Sequence, residues 1–236
     1  DGHGTFLAGI IAAKTNNKKG MSGASFFGNL KIMPLKFDFT TDQAISAINY
    51  AKARNIPIIN ASWGAYGEEG LDLILKDTIA AYPGVFVTAA GNGDPETFLG
   101  YDHDGTDPSK KMYPCDFELA NIICVAASGK DGALTQYSDY GATSVDVAAP
   151  GGTDDNPIIG LDLKKNKFTE AEGSSLSVAY VSAEAGLIMS KKPGLSSAQI
   201  IEIIKNSVDL EPSLEGKVVT GGKINFRRAL EMAGSY

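Results

Sequence analysis

Cysteine is nearly absent. Cys115 and Cys124 are the only two in 236 residues, so at most one bridge can form and no disulfide scaffold holds the chain together. None is needed, because a chain of this length buries roughly 70–75% of its unfolded surface. Cys124 sits in the apolar run Ile122-Ile123-Cys124-Val125-Ala126-Ala127, where a buried free thiol is the expectation. Histidine is as scarce, with only His3 and His103, and that limits which acid–base chemistry can be assembled. No apolar run reaches transmembrane length, so no membrane span is expected. Positive charge is in deficit: 21 Lys and Arg against 28 Asp and Glu leave a formal charge of −7, which disfavours nucleic acid and anionic membrane as partners. Internal repeats and low-complexity tracts are missing too, and residues 1–236 read as a single domain.

What is present is an alternation of short apolar runs with helical patterns. A helix opens at His3, and a polar loop from Thr15 to Gly23 leads to an apolar run from Leu30 to Phe37. Asp42 to Arg54 sets Ala44, Ile45, Ile48 and Ala51 on one helix face, Ile56 to Ser62 reads as a strand, Leu71 to Ala81 as a helix and Val85 to Ala90 as a strand. Apolar runs at Ile122–Ala127 and Val145–Ala149 precede a helix from Ser175. Another helix follows over Ser196–Val208, with a capping box of Ser196 and Gln199, and a last one from about Gly222 to Ala233. Strands that are apolar throughout and separated by helices predict an α/β fold in three layers, a mostly parallel sheet covered by helices on both faces.

The reactive candidates fall at helix starts. In Glu172-Gly173-Ser174-Ser175-Leu176-Ser177 a turn on Gly173 delivers Ser175 to a first helical turn, among unpaired N–H groups and the positive end of the helix dipole. An N-cap is the commoner job for such a serine. His3, at the opening of the other helix, offers the only side chain type whose unperturbed pKa suits general-base work near neutrality. Asn92 lies at the end of a strand in Ala89-Ala90-Gly91-Asn92-Gly93, where Gly-Asn-Gly alone would indicate a turn.

Together, His3-Gly4-Thr5-Phe6-Leu7-Ala8-Gly9, the Asn92 segment and Gly173-Ser174-Ser175-Leu176-Ser177-Val178-Ala179 resemble the motifs of the subtilisin-like serine proteases. The resemblance continues through Tyr113-Pro114, Tyr137-Ser138-Asp139-Tyr140-Gly141, Val145 to Gly151 and Gly221 to Asn225. It implies a subtilisin-like fold and a serine endopeptidase in which Ser175 is the nucleophile, His3 the base and Asn92 an oxyanion donor. It further implies a substrate pocket of Ser62, Trp63, Gly64, Ala90 and Gly91 with Met112 near its base, although Trp63 equally suits a packed aromatic. The α/β-hydrolase order Ser, acid, His is excluded, because no histidine follows Ser175. Departures from the family pattern are Phe6, Ser174, Leu176 and Ala179, none of which removes a reacting atom.

The partner implied is a protein or peptide substrate, the implied location secreted or extracellular, and no organic cofactor is required. Structural calcium occurs in the family, and Asn16-Asn17 lies where one such site would fall, but Lys18 and Lys19 follow directly and no residue is assigned as a metal ligand. The carboxylates around His103, in Tyr101 to Asp107, read as a solvated insertion. The family carries its triad aspartate upstream of the histidine, on a sheet strand. Only Asp1 and Gly2 precede His3, and Asp1 belongs to the histidine motif itself. The expectation is therefore a domain incomplete at its N-terminus, nearly inactive alone, whose acid arrives on an upstream segment in cis or as a separate chain. The other readings are a catalytically silent scaffold of the same fold and an unrelated α/β ligand-binding module.

Overall fold

The computed structural model describes residues 2–26, 30–164 and 167–236, so Asp1 lies outside the described residues. The helices are α1 (His3–Ala12), α2 (Thr41–Ala53), α3 (Gly67–Gly70), α4 (Leu73–Ala80), α5 (Ser174–Lys191), α6 (Ser197–Asn206) and α7 (Phe226–Ala233). The strands are β1 (Ile58–Ala61), β2 (Ala65–Tyr66), β3 (Val85–Ala89), β4 (Met112–Tyr113), β5 (Ile122–Ser128), β6 (Val147–Pro150), β7 (Ile158–Leu161), β8 (Phe168–Ala171), β9 (Asp209–Leu210) and β10 (Gly222–Lys223).

The main sheet runs β1-β3-β5-β6-β10-β9, parallel except for the last pair. Its central strands show no alternation in sequence because both of their faces are covered. On one face Val85, Val87, Ala89, Ile123, Val125 and Val147 pack against α5, α6 and α7. On the other, Phe86 and Ile122 meet Ala44 and Ile48 of α2 and Leu75 and Ile79 of α4. The three layers expected from the sequence are thus present, and each buried Val, Leu or Ile contributes about 1.5–3 kcal/mol. The capping box at Ser196 forms, with the Gln199 N–H donating to Ser196 Oγ at 3.2 Å and the Ser196 N–H donating to Gln199 Oε1 at 2.9 Å.

Three features depart from the sequence reading. Cys115 and Cys124 form a disulfide, so Cys124 is not a free thiol; the turn after β4 brings Cys115 against β5, a contact invisible in the chain order. The run Leu30–Phe37 forms no strand, since no described segment pairs with it: Leu30 packs on Gly186, while Ile32 and Met33 are exposed. Ile158–Leu161 and Phe168–Ala171 instead form an unforeseen antiparallel pair, β7–β8, whose Gly160 lies against the Phe6 ring of α1.

Candidate active site

Gly173 sets where α5 begins. It is the N-cap residue at φ 139° and ψ 154°, a conformation side chains other than glycine rarely adopt. The Tyr137 hydroxyl fixes it, accepting from the Gly173 N–H at 3.0 Å and donating to Gly152 O at 2.9 Å. Ser174 is then the first helical residue and Ser175 the second, so Ser175 is not a cap. At that position its N–H precedes the first i→i−4 bonds of the helix and lies at the positive end of the dipole.

Two strand ends hold this turn. From β1, the Ser62 hydroxyl donates to Ser175 O at 2.8 Å, and the Ser175 hydroxyl donates to Ser62 O at 3.4 Å. From β3, Asn92 Oδ1 accepts from both Ser174 N (2.8 Å) and Ser174 Oγ (2.9 Å). A carboxamide anchored through its oxygen keeps its Nδ2 hydrogens as its remaining donors. Asn92 is exposed and Ser175 half-buried, so a ligand has access to both.

His3 opens α1 and is half-buried. Burial lowers its pKa from the ordinary value, which favours the neutral, proton-accepting imidazole. The helix that carries it is locked to the helix that carries Ser175 by Phe6, Leu7 and Ile10 packing with Leu176, Ala179 and Ala183. On the α5 side the small Ala179 and Ala183 permit that approach.

The expected pocket residues divide. Gly64 lies against Met112 and the backbone of Tyr113, because β2 and β4 pair with Tyr66 opposite Met112. Ala90 and Gly91 lead from β3 into Asn92 and are buried. The Trp63 ring packs edge-on against Phe37 at 5.5 Å and Phe86 at 6.3 Å, within the core that covers the α2–α4 face.

The stretch around His103 is solvated as expected at Asp102 and from Asp104 to Asp107, but His103 itself is not. His103 is 0% exposed and lies between two buried carboxylates, with Nδ1 3.1 Å from Asp116 Oδ2 and Nε2 3.4 Å from Asp139 Oδ2. Burial opposes its charge, but the hydrogen bonds and charges of Asp116 and Asp139 prevail and push the imidazole up to about 9. The sequence signal was the local wealth of Asp, which reads as solvent-seeking; the partners that bury it lie 13 and 36 residues away. His103, Cys115 and Asp116 together have the composition of a metal cluster, but Cys115 is spent in its disulfide and cannot serve as a thiolate ligand. The loop 14–22 carries Lys14, Lys18 and Lys19 and no carboxylate, a donor set that does not suit calcium.

Comparison with known proteins adds the following. The Subtilase family (peptidase S8) matches residues 1–227. The chain is similar to subtilisin-like protease 3 of Plasmodium falciparum, 31% identical over 95% of the chain, and to the cell wall-associated protease of Bacillus subtilis, 30% identical over 88%. It spans 30% and 21% of those relatives' lengths. Among solved structures, a protease of Pseudoalteromonas arctica superposes with a TM-score of 0.82 at 25% identity, over 99% of this chain and 71% of that one.

Proposed function

Because the chain belongs to the subtilase family, whose members are serine peptidases, we propose that it carries the catalytic face of an endopeptidase acting through an acyl-enzyme on Ser175. The Ser175 oxygen attacks the peptide carbonyl carbon while His3 takes its proton. The oxyanion then accepts hydrogen bonds from the Ser175 N–H and from Asn92 Nδ2. Collapse expels the amine, which leaves with the proton from His3. Water, deprotonated by His3, attacks the ester and releases the acid with Ser175 regenerated. The observation that supports this reading is the anchoring of Asn92 through Oδ1 on Ser174, the neighbour of Ser175 at the helix start, which leaves the Nδ2 hydrogens as its donors. Gly64, Ala90 and Met112, the residues expected to wall the adjoining pocket, are small or apolar, which favours an apolar or aromatic residue before the cleaved bond.

The acid that orients His3 comes, in this proposal, from a segment seated on the outer edge of β1, the strand at the end of the sheet nearest Ser62 and Ser175. No metal or organic cofactor takes part in any step. The disulfide, together with a relative named for the cell wall, supports an oxidising, extracellular setting. The test is labelling of the complete natural protein with a fluorophosphonate, followed by peptide mapping. A single adduct on Ser175, lost in Ser175→Ala, is the expected result. Absence of an adduct in the folded protein would overturn the reading in favour of a silent scaffold of the same fold.

A further inference from the structure

Asn92 is held at two ends, and the second anchor is unrelated to Ser174. The Tyr66 hydroxyl, delivered by β2, accepts from the N–H of Asn92 and from the N–H of Gly93, each at 3.1 Å, and donates to Asp139 Oδ2 at 2.6 Å. A phenol has one proton and two lone pairs, so this hydroxyl spends its whole capacity on the loop and on one carboxylate. Asp139 is itself immobilised and fully buried: Oδ1 accepts from Tyr101 N at 2.7 Å, Oδ2 lies 3.4 Å from His103 Nε2, and its own N–H donates to Gly91 O at 3.2 Å. The fit leaves no slack. A Cβ on Gly91 would collide with both the Asp139 carboxylate and the Tyr66 hydroxyl, so the loop backbone lies directly on the pair. The Tyr101 ring, edge-on to Tyr66 at 5.5 Å, closes the outer side.

We infer that Tyr66, backed by Asp139 and His103, is the positioning residue of the oxyanion loop: it fixes the main chain of Asn92–Gly93 so that the carboxamide meets the developing oxyanion without reorganising. The inference rests on the proposed peptidase reading, since without that chemistry there is no oxyanion to meet. Tyr66 does not touch the reacting atoms; it acts through Asn92. Burial, and then the charge of Asp139, push the Tyr66 hydroxyl far above its ordinary value, so it stays a donor to Asp139 throughout the working pH range.

The experiment compares Tyr66→Phe, Asn92→Ala and the double variant in the complete natural protein, by kcat and KM and by hydrogen exchange of the Asn92–Gly93 amides. Tyr66→Phe should lower kcat roughly 10- to 100-fold, as expected for a displacement on the order of 1 Å, with KM within about twofold. It should also speed exchange at Asn92 and Gly93 while β5 stays protected. In the Asn92→Ala background the same change should cost less than about threefold, because a residue that acts through Asn92 has nothing left to position. Asp139→Asn, which keeps the shape but weakens the acceptor, should give a smaller loss of the same kind and serves if Tyr66→Phe does not fold. An equal loss in both backgrounds, or unchanged kcat and exchange in Tyr66→Phe of a protein that labels at Ser175, overturns the positioning role alone. A native protein that does not label at Ser175 overturns both readings.

Discussion

Asn92 has two ends with different tasks, and substitutions can separate them. Asn92→Ala removes the donor and the acceptor of the Ser174 bonds together, and it should lower kcat roughly 100- to 1,000-fold with KM nearly unchanged, because the donated bond forms in the transition state. Asn92→Asp keeps an acceptor for Ser174 but has no hydrogen to donate, so its kcat should fall at least as far while the start of α5 stays intact. Steady-state kinetics decide the matter: equal losses in kcat and in substrate affinity would make Asn92 a structural turn residue. At the same scale, Glu184 sits 1% exposed in the middle of α5, and neither of its carboxylate oxygens has a hydrogen-bond partner among the described residues. Burial raises its pKa to about 8 from 4.5. The folded state therefore binds the extra proton between those values, and stability is fullest below about pH 4.5 and falls as pH rises to about 8, then levels. The slope of this contribution is on the order of 1.4 kcal/mol per pH unit. Glu184→Gln should accordingly gain on the wild type as pH rises across that window, measured by denaturant unfolding at several pH values. A constant difference between the two proteins would mean that Glu184 does not titrate there.

At the scale of elements, the disulfide joins the turn after β4 to the middle of the sheet, and the same turn places Met112 against Gly64 and Asp116 against His103. Its two cysteines are nine residues apart, and closing so short a loop removes chain entropy worth about 3 kcal/mol from the unfolded state. Replacing both cysteines by alanine should therefore lower unfolding stability by about that amount, read from the midpoint and slope of denaturant unfolding together. An unchanged midpoint would show that the bridge does not form in solution. The helices follow a different logic. Of the 18 residues of α5, 13 are buried, because the helix lies between the sheet on one side and α1 on another. Ala179 and Ala183 form the α1 side, where a larger side chain would press on Phe6, Leu7 and Ile10 of the helix that carries His3.

For the whole molecule, the sheet is closed and open at different ends. β9 ends it with a two-residue antiparallel strand, whereas β1, parallel and with three of its four residues only half-buried, presents an unpaired outer edge among the described residues. An edge of that kind costs stability and invites another strand. With the acid placed on such a strand, residues 1–236 alone should show turnover about 10⁴-fold below the complete domain, the loss seen when a triad carboxylate is removed. They should also unfold at lower denaturant, and both deficits should be repaired by the upstream segment in cis or as a separate chain. Activity assays and unfolding curves on the two forms give the answer, and full activity of residues 1–236 by themselves would show that the acid lies within them.

The sequence by itself determined the layers and the helix start that carries Ser175. Strands apolar on every residue announced a sheet buried on both faces, helical periodicity placed α2, α4 and α6, and the Gly173 turn put Ser175 inside a helix start, because all of these are set by residues within a few positions of one another. Only the tertiary structure decided what depends on distant partners. His103 reads as solvated from its acidic neighbours and is buried because Asp116 and Asp139 come to it; Cys124 reads as a free thiol until Cys115 meets it. Leu30–Phe37 is apolar enough for a strand and forms none, because an extended segment becomes a strand only when a neighbour takes its hydrogen bonds. Tyr66, silent in the chain, holds Asn92 through a carboxylate 73 residues away, and no local pattern can encode a contact of that range.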